Sequence, residues 1–343
     1  MEITFLLSKL TDRQDLTALE MTELMRQIMT GKATPAQIGS ALTALMMKGE
    51  TVTEVAAAAT VMRELALQVP VHHERLVDTC GTGGSGSRKF NVSTASAFVV
   101  AAAGAKVAKH GNRKASGNSG SADLLEAAGA RIDLNPEQVA RCIDTVGLGF
   151  LFAANHHQAM RHAVGPRQEL KIRTLFNVLG PLTNPAGAKR QVMGVFSQNW
   201  LRPLAEVLCE LASEHVMLVH SNDGLDEISI AASTQIVEMN HGEYKSYQVK
   251  PEDFGMRVSS LEPLRVENSA QSLTLVNAAL NQQDEAATNM VSLNAGAAIY
   301  VAGLTSDLNA GVKMAQDVIA SGQAAERMKF FVDFTVEVAD SEL

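Results

Sequence analysis

Apolar residues recur at helical spacing through the first seventy positions, and helix-capping residues divide them into separate segments. The first pattern begins at Thr17, which forms a capping box with Glu20 three positions later. The second begins at Thr34, with a proline in the first helical turn, and the third begins at Thr51. No strand pattern separates them. We therefore predict three short amphipathic helices and a small all-α N-terminal domain over residues 1–70.

After Pro70 the pattern changes to short apolar runs that alternate with helical segments. Strands are predicted at residues 76–77, 106–108, 149–152, 190–197 and 215–220. Helices are predicted after Ser93, around residues 124–125, from Asn135, and over residues 204–211. This alternation is typical of a mostly parallel sheet with helices on both faces. Residues 228–247 indicate short antiparallel strands with a turn at residues 240–242.

One segment breaks the alternation, because residues 155–180 have helical character throughout. We expect a helical segment near residues 160–185 to return to the N-terminal helices, which would make that domain discontinuous in sequence. Residues 71–343 would form the larger α/β domain. The predicted fold class is α/β, with a small all-α domain at the N-terminus.

Composition excludes several classes of protein. The chain has 343 residues, 46% of them hydrophobic, which is enough for a large core and two domains. The longest apolar stretch, residues 97–105, is far too short to span a bilayer, and the N-terminus lacks a signal peptide pattern. Three dispersed cysteines suit a reducing cytosol. The net charge of −8 argues against nucleic acid binding. We expect a cytoplasmic protein with neither a membrane nor a nucleic acid partner.

A glycine-rich loop, residues 78–86, follows the first predicted strand of the larger domain. Its glycines let backbone N–H groups converge on an anion, and the helix that begins near residues 91–94 adds its positive N-terminus. The spacing fits neither a dinucleotide-binding fingerprint nor a P-loop. A tight turn without a ligand is the alternative.

A second loop, residues 109–121, follows the next predicted strand. Its cations Lys109, Arg113 and Lys114, together with several glycines and hydroxyls, offer donors for a second phosphate group. The alternative is a solvated surface loop. Two anion-binding loops at successive strand ends make that alternative weaker, because those ends lie side by side in an open α/β sheet.

Carboxylates cluster after the strand that ends at His220. Asp226 and Glu227 supply the oxygen ligands that Mg²⁺ prefers, and Mg²⁺ in turn usually bridges to substrate phosphates. An acidic exposed turn is the alternative interpretation.

Histidine and arginine cluster in residues 155–167. His156 and His157 are adjacent and so point in different directions, which argues against a metal site formed by the two. A lone arginine is normally a surface residue; the alternative for Arg167 is that its guanidinium binds the carboxylate of an acceptor through two parallel hydrogen bonds.

Taken together, these motifs resemble those of the anthranilate phosphoribosyltransferase family, in the same order and over nearly the whole chain. The matching segments are residues 81–84, 91–94, 109–113, 173–185 and 224–227. The resemblance implies a helical domain hinged to an α/β domain of the nucleoside phosphorylase and phosphoribosyltransferase type. It also implies a homodimer built through the helical domain, and transfer of phosphoribose from PRPP to anthranilate in tryptophan biosynthesis.

The resemblance assigns expected roles to individual residues. It implies catalytic roles for Lys109, Asn112 and Arg167 and anthranilate binding by Gly81, Asn112 and Arg167. Mg²⁺ would be held by Ser93, Asp226 and Glu227. The expected PRPP-binding residues are Gly81, Gly84, Ser85, Lys89, Asn91, Val92, Ser93, Thr94, Lys109, His110, Gly111, Asn112, Arg113, Lys114, Ala115, Ser116, Gly117 and Ser121.

This assignment fits the chemistry of the reaction. Diphosphate leaves through an oxocarbenium-like state, and Lys109, the helix N-terminus and Mg²⁺ would stabilise its growing charge. The amine of anthranilate is already a nucleophile, so orientation supplies much of the remaining rate. No strong base is required, and we assign none to His110.

The chain departs from the family pattern at three positions. Ser85 stands where the family usually has an acidic residue, Lys89 where it has threonine, and Gln158 where proline is common. We expect the missing carboxylate to reduce occupancy of a second Mg²⁺ and Lys89 to contact diphosphate. A Ser85→Asp variant with an unchanged dependence of rate on Mg²⁺ would contradict this expectation. A paralogue with lost or altered acceptor preference is the alternative.

Two other functions are alternatives to the transferase. A pyrimidine-nucleoside phosphorylase shares the architecture and a loop similar to residues 114–117, but the carboxylate pair and residues 109–113 count against it. A non-catalytic, nucleic-acid-binding paralogue is disfavoured by the acidic balance and an aromatic content of 4%.

Overall fold

The computed structural model describes residues 1–83, 89–113 and 119–341. The strands are β1 (Leu76–Gly81), β2 (Lys106–Gly111), β3 (Leu148–Phe152), β4 (Arg190–Gly194), β5 (His215–Ser221), β6 (Thr234–Asn240) and β7 (Glu243–Val249). The helices are α1 (Ile3–Thr11), α2 (Ala18–Met29), α3 (Pro35–Lys48), α4 (Val52–Leu65), α5 (Val92–Ala102), α6 (Ser121–Ala127), α7 (Pro136–Val146), α8 (Ala153–His156), α9 (Arg161–Leu170), α10 (Phe176–Leu182), α11 (Leu201–Glu210), α12 (Ser269–Leu280), α13 (Glu285–Val301), α14 (Leu308–Ala320) and α15 (Gln323–Asp340).

The N-terminal domain is all-α, as predicted, but it begins with one more helix than the sequence analysis found. The three predicted helices α2, α3 and α4 start at Thr17, Thr34 and Thr51, and each threonine forms the predicted capping box. The additional helix α1 follows Glu2, whose side chain makes no capping hydrogen bond. Without a capping residue, its start left no signal in the sequence.

A seven-stranded sheet, ordered β3-β2-β1-β4-β5-β6-β7, forms the centre of the larger domain. The first five strands are parallel, and β6 and β7 are antiparallel, so the predicted mostly parallel sheet is confirmed. The predicted antiparallel segment began too early, because residues 228–233 lie outside the strands. There Ile228 bonds through its N–H and C=O to the Asn294 side chain and not to a strand. The fourth strand also ends at Gly194, earlier than the predicted residue 197.

The two faces of the sheet belong to two separate cores. Along β5, Met217 and Val219 face the core that contains α5 and α13, whereas Val216 and Leu218 face the core shared with α11 and the N-terminal helices. This alternation follows from the two-residue repeat of a strand. The second core joins the helical domain to one face of the sheet.

The segment between β3 and β4 is helical and lies against the N-terminal helices. Within it, α9 packs on α2 and α3, and α10 packs on α4. Arg63 of α4 strengthens this contact, because its Nε donates to the Leu182 carbonyl oxygen at 2.7 Å. The Leu67 N–H donates to the His156 carbonyl oxygen, and His156 Nδ1 bonds to the Leu67 carbonyl oxygen. These bonds connect the segment to the chain just before β1.

Four C-terminal helices, α12 to α15, complete the larger domain, and none of them was predicted from the sequence. Three start at ordinary capping residues, Asn268, Asp284 and Asp307, so the signal was present. Within the described ranges, no helix is long and apolar enough to cross a membrane.

Candidate active site

The candidate site lies at the carboxyl ends of β1, β2 and β4. The chain runs from β1 outward through β2 to β3 and then returns to place β4 on the other side of β1. Ligands of open α/β sheets bind at such a reversal of strand order, where the loops on either side diverge. The glycine-rich loop follows β1, and the second predicted loop follows β2.

Two glycines let three backbone segments meet at this edge. Gly81 and Gly194 are paired in register at the ends of β1 and β4. A Cβ at Gly194 would lie 1.9 Å from the Asp226 carbonyl oxygen, and one at Gly81 would lie 3.0 Å from the Gly194 carbonyl oxygen. The absence of side chains therefore brings the carboxylate-bearing loop directly against the two strands.

The carboxylates of that loop contact a lysine from the other side of the site. Lys89 Nζ lies 2.5 Å from Asp226 Oδ1 and 3.9 Å from Glu227 Oε1. Burial raises the pKa of Glu227 to about 7, and the charge of Asp226 adds to this while Lys89 and Lys109 oppose it. Burial lowers the pKa of Lys89, but the neighbouring carboxylates outweigh burial and raise it overall.

Lys109 is a deeply buried cation of the site, with 2% of its surface exposed. Its Nζ donates to the Thr79 carbonyl oxygen at 2.6 Å and to Ser93 Oγ at 3.3 Å, which joins β2 to β1 and to the first turn of α5. Burial lowers its pKa, and the charge of Asp78 opposes that shift.

Asp78 in β1 is the buried counter-charge. Burial raises its pKa to about 6, and Lys109 opposes this. Its two oxygens accept hydrogen bonds from the His110 N–H at 3.1 Å and from Asn184 Nδ2 at 2.8 Å. Asp78 and Asn184 were given no role in the sequence analysis. For Asp78 the sequence did carry a signal, because a charged residue stands inside an otherwise uncharged strand.

The start of α5 is held against the second loop and the C-terminal helices. Asn91 Nδ2 donates to the Ser119 carbonyl oxygen, and Asn91 Oδ1 accepts from Ser272 Oγ at 2.6 Å. Thr94 Oγ1 donates to Ser121 Oγ at 3.0 Å. The predicted residues 91–94 and Ser121 are thus brought together, although Val92 contributes only backbone because its side chain is in the core.

The residues after β2 diverge from this cluster. Arg113 forms ion pairs with Glu126 and Asp123 of α6, and its guanidinium lies 5.5 Å from the Phe152 ring centroid. The Asn112 side chain accepts a hydrogen bond from the Arg113 N–H. Six predicted site residues lie outside the described ranges, namely Gly84, Ser85, Lys114, Ala115, Ser116 and Gly117.

A histidine pair lies where β2 meets the helical segment between β3 and β4, and that segment also carries Arg167. His110 Nδ1 bonds to the Gly180 carbonyl oxygen of α10 at 3.1 Å, and its ring centroid lies 5.1 Å from that of His157. Burial lowers the pKa of His110 to about 3 and that of His157 to about 4. Arg167 of α9 lies 5.2 Å from the centroid of Phe176, the first residue of α10.

The carboxylates of Asp226 and Glu227 are compatible with a divalent ion whose remaining coordination sites are filled by a bound ligand and water. Across residues 1–83, 89–113 and 119–341, no group of three or more histidine, cysteine or acidic residues forms a closed metal site. Asp226 and Glu227 provide only part of the six oxygens that Mg²⁺ requires, so phosphate and water oxygens would have to complete the coordination.

Known proteins match this chain over nearly its whole length. The chain matches the sequence families described as the glycosyl transferase family a/b domain, over residues 73–325, and its helical bundle domain, over residues 5–66. Anthranilate phosphoribosyltransferase from Thioalkalivibrio sulfidiphilus is 58% identical over 325 residues, covering 95% of this chain and 96% of the relative.

Solved structures share the same fold. The crystal structure of anthranilate phosphoribosyltransferase from Thermus thermophilus has a TM-score of 0.91 and 42% identity, covering 96% of this chain and 99% of that one. The anthranilate phosphoribosyltransferase from Saccharomyces cerevisiae in complex with PRPP and Mg has a TM-score of 0.89 at 23% identity, covering 98% of both chains. At that identity the second likeness concerns the fold alone.

Proposed function

Since this chain belongs to the anthranilate phosphoribosyltransferase family, we propose that it transfers the 5-phosphoribosyl group of PRPP to anthranilate. The products are N-(5-phosphoribosyl)anthranilate and diphosphate, and the reaction is a step of tryptophan biosynthesis. The enzyme is a pentosyltransferase. The phosphorylase and the nucleic-acid-binding alternatives are not favoured, because the matched relatives carry the transferase name.

One observation carries the proposal for the site. The buried ammonium of Lys109, the first turn of α5 and the carboxylates of Asp226 and Glu227 meet at the carboxyl ends of β1 and β4. A cation, the N-terminus of a helix and partial metal ligands at one edge match the needs of a departing diphosphate.

Charge on the leaving group would be stabilised chiefly by Lys109. Its ammonium is held by Thr79 and Ser93 in a buried position, where an electrostatic interaction with phosphate is stronger than in water. The backbone N–H groups that begin α5 at Val92 would add the positive end of the helix dipole. The residues proposed to bind PRPP are Gly81, Gly84, Ser85, Lys89, residues 91–94, residues 109–117 and Ser121.

We propose that Asp226 and Glu227, with the hydroxyl of Ser93, hold Mg²⁺ together with PRPP. When bound, the ion neutralises charge on the diphosphate. The two carboxylates would orient the ligand relative to Lys109, and the loop against Gly194 fixes their position.

Anthranilate would bind on the side of the site toward the helical domain. Arg167, whose guanidinium lies over the Phe176 ring, would bind its carboxylate through two parallel hydrogen bonds. Gly81 at the end of β1 and Asn112 directly after β2 would supply the other contacts. The amine would attack C1 of the ribose directly, so orientation replaces a strong base.

We also propose that the functional unit is a cytoplasmic homodimer. The helical domain, residues 1–70 with the segment near 160–185, would form the interface, and residues 71–343 would bind PRPP. Phe5 and Met47 are more than half exposed on α1 and α3. A cavity of about 820 Å³ lies between these helices and α9. The free cysteines Cys80, Cys142 and Cys209 suit a reducing compartment.

The experiment that tests the function is loss of anthranilate fluorescence upon incubation with PRPP and Mg²⁺. We expect the loss to require both, and Lys109→Met to lower kcat about 10²- to 10³-fold, as for removal of a donor to developing negative charge. Lys245→Met, on an exposed position of β7, serves as the control and should be unaffected. A folded wild-type protein that leaves anthranilate fluorescence unchanged would contradict the proposed function.

A further inference from the structure

The ammonium of Lys89 lies between the two carboxylates that are proposed to hold metal. Its Nζ is 2.5 Å from Asp226 Oδ1 and 3.9 Å from Glu227 Oε1, and all three side chains are largely buried. A divalent ion bridging the same two carboxylates would have to lie in the same small region. The lysine and the ion therefore compete for the same oxygen atoms.

The backbone around Lys89 directs its side chain to this position. Lys89 forms an isolated antiparallel bridge with Arg265, and the Phe90 N–H donates to the Leu264 carbonyl oxygen at 3.1 Å. The Phe90 side chain is buried in the core. The lysine thus projects from a backbone position that is held by residues 264–265 and by the buried Phe90 that follows it.

We propose that Lys89 is a built-in cation that competes with divalent metal for Asp226 and Glu227, so that metal loads at this pair only together with a phosphorylated ligand. The proposal rests on the proposed function, because it takes the two carboxylates as the metal ligands of that reaction. In the ligand-free enzyme, Lys89 neutralises part of their charge. Diphosphate oxygens then provide additional acceptors, so that the lysine and the ion no longer share one set of oxygens.

Coulomb repulsion gives the direction and scale of the effect. A doubly charged ion a few ångströms from an ammonium group is destabilised by an amount that corresponds to more than a tenfold loss of affinity, even at an effective dielectric constant of about 20. Removal of the ammonium should therefore increase metal affinity of the ligand-free protein, whereas arginine at this position should not.

The test is binding of Mn²⁺, as a probe for Mg²⁺, to the ligand-free protein, measured from the electron paramagnetic resonance signal of the unbound ion. We expect Lys89→Met to bind one Mn²⁺ per chain at least about tenfold more tightly than the wild type. Lys89→Arg should behave like the wild type, and the double variant Lys89→Met/Asp226→Asn should lose the gain. Lys245→Met is the control for loss of a positive charge elsewhere.

Two results would overturn the proposal: equal Mn²⁺ affinity in the wild type and Lys89→Met, or a gain that survives the Asp226→Asn change. Thermal unfolding with and without Mn²⁺ gives an independent measure, since an ion that binds the folded state raises the melting temperature of Lys89→Met alone. Lys89→Gln repeats the test if the methionine variant does not fold. Because no substrate is present, this experiment can fail while anthranilate turnover succeeds, and the reverse.

Discussion

At the scale of single residues, the site is defined by ionisable groups kept in the protein interior. Asp78 and Lys109 are both buried, and each opposes the effect of burial on the pKa of the other. Removing one partner would leave an uncompensated charge, which is far more costly than losing an exposed ion pair. The hydrogen bonds that Asp78 accepts from the His110 N–H of β2 and from Asn184 also stabilise its carboxylate charge.

A first prediction concerns the pH dependence of stability. The pKa of His110 is lowered by burial from 6.5 to about 3, so the unfolded chain takes up this proton before the folded protein does. The stability that the neutral His110 ring contributes to the folded state is fully present above pH 6.5 and is lost as the pH falls toward 3. We expect about 2 kcal/mol of unfolding free energy to be lost from this group between pH 7 and pH 5.

Urea unfolding of the wild type and of His110→Asn at both pH values checks this prediction. Asparagine retains an N–H donor for the Gly180 carbonyl oxygen but does not titrate. The loss of stability between pH 7 and pH 5 should be smaller in the variant by roughly the same amount of about 2 kcal/mol. An identical loss in both proteins would show that this imidazole titrates normally in the folded state.

At the scale of elements, the carboxyl ends of the strands position the chemistry through their close backbone contacts. The ends of β1 and β4 are paired through Gly81 and Gly194, and the loop after β5 lies directly against them. Because the contact is made by backbone atoms on both sides, rotation of a side chain cannot relieve a clash there. The distance between the loop carboxylates and β1 therefore depends on these glycines.

A second prediction follows for Gly194→Ala. The new Cβ would lie 1.9 Å from the Asp226 carbonyl oxygen, so the loop has to shift. We expect kcat/KM to fall about 10²-fold through displacement of Asp226 and Glu227, and stability to fall by about 1–3 kcal/mol. Steady-state kinetics and urea unfolding measure the two effects, with the exposed Gln198→Ala as a neutral control. Wild-type kinetics in Gly194→Ala would mean that the position of this loop does not matter for catalysis.

At the scale of the whole molecule, the sheet separates two cores, and the site lies at the carboxyl ends of the strands between them. The core on the side of α11 is shared with the helical domain, and α10 connects that domain to β2 through the Gly180–His110 hydrogen bond. Of the residues proposed for the acceptor, Arg167 comes from the helical side, whereas Gly81 and Asn112 come from the sheet side, as do those proposed for PRPP. Movement of one domain against the other would alter the relation between the two substrates.

A third prediction concerns assembly. Met47 is 60% exposed beside the cavity between α1, α3 and α9. If this surface forms the homodimer, Met47→Glu places charges in an apolar interface and should shift the protein to monomers in sedimentation velocity experiments. Phe330→Glu changes an apolar residue of similar exposure on α15 and should leave the mass unchanged. A monomeric wild type, or a dimer that Met47→Glu leaves intact, would argue against this interface.

The sequence by itself determined most of the elements and the type of chemistry. The capping boxes at Thr17, Thr34 and Thr51 and the strand–loop–helix order after Pro70 are local patterns, and the glycine loop is a local signal as well. Local signals are readable because they reflect backbone propensities within a few residues. For the same reason, α1, which lacks a capping side chain, was missed.

Only the tertiary structure decided which groups meet. Lys89 and Asp226 are 137 residues apart in sequence, and Asp78 and Asn184 are 106 apart, so no periodicity connects them. The order in which strands pair, and the approach of Asp226 to Gly194, depend on packing across the whole sheet. Burial then determines the pKa values and whether Lys89 contacts carboxylates, because the cost of a charge depends on the surroundings that distant parts of the chain provide.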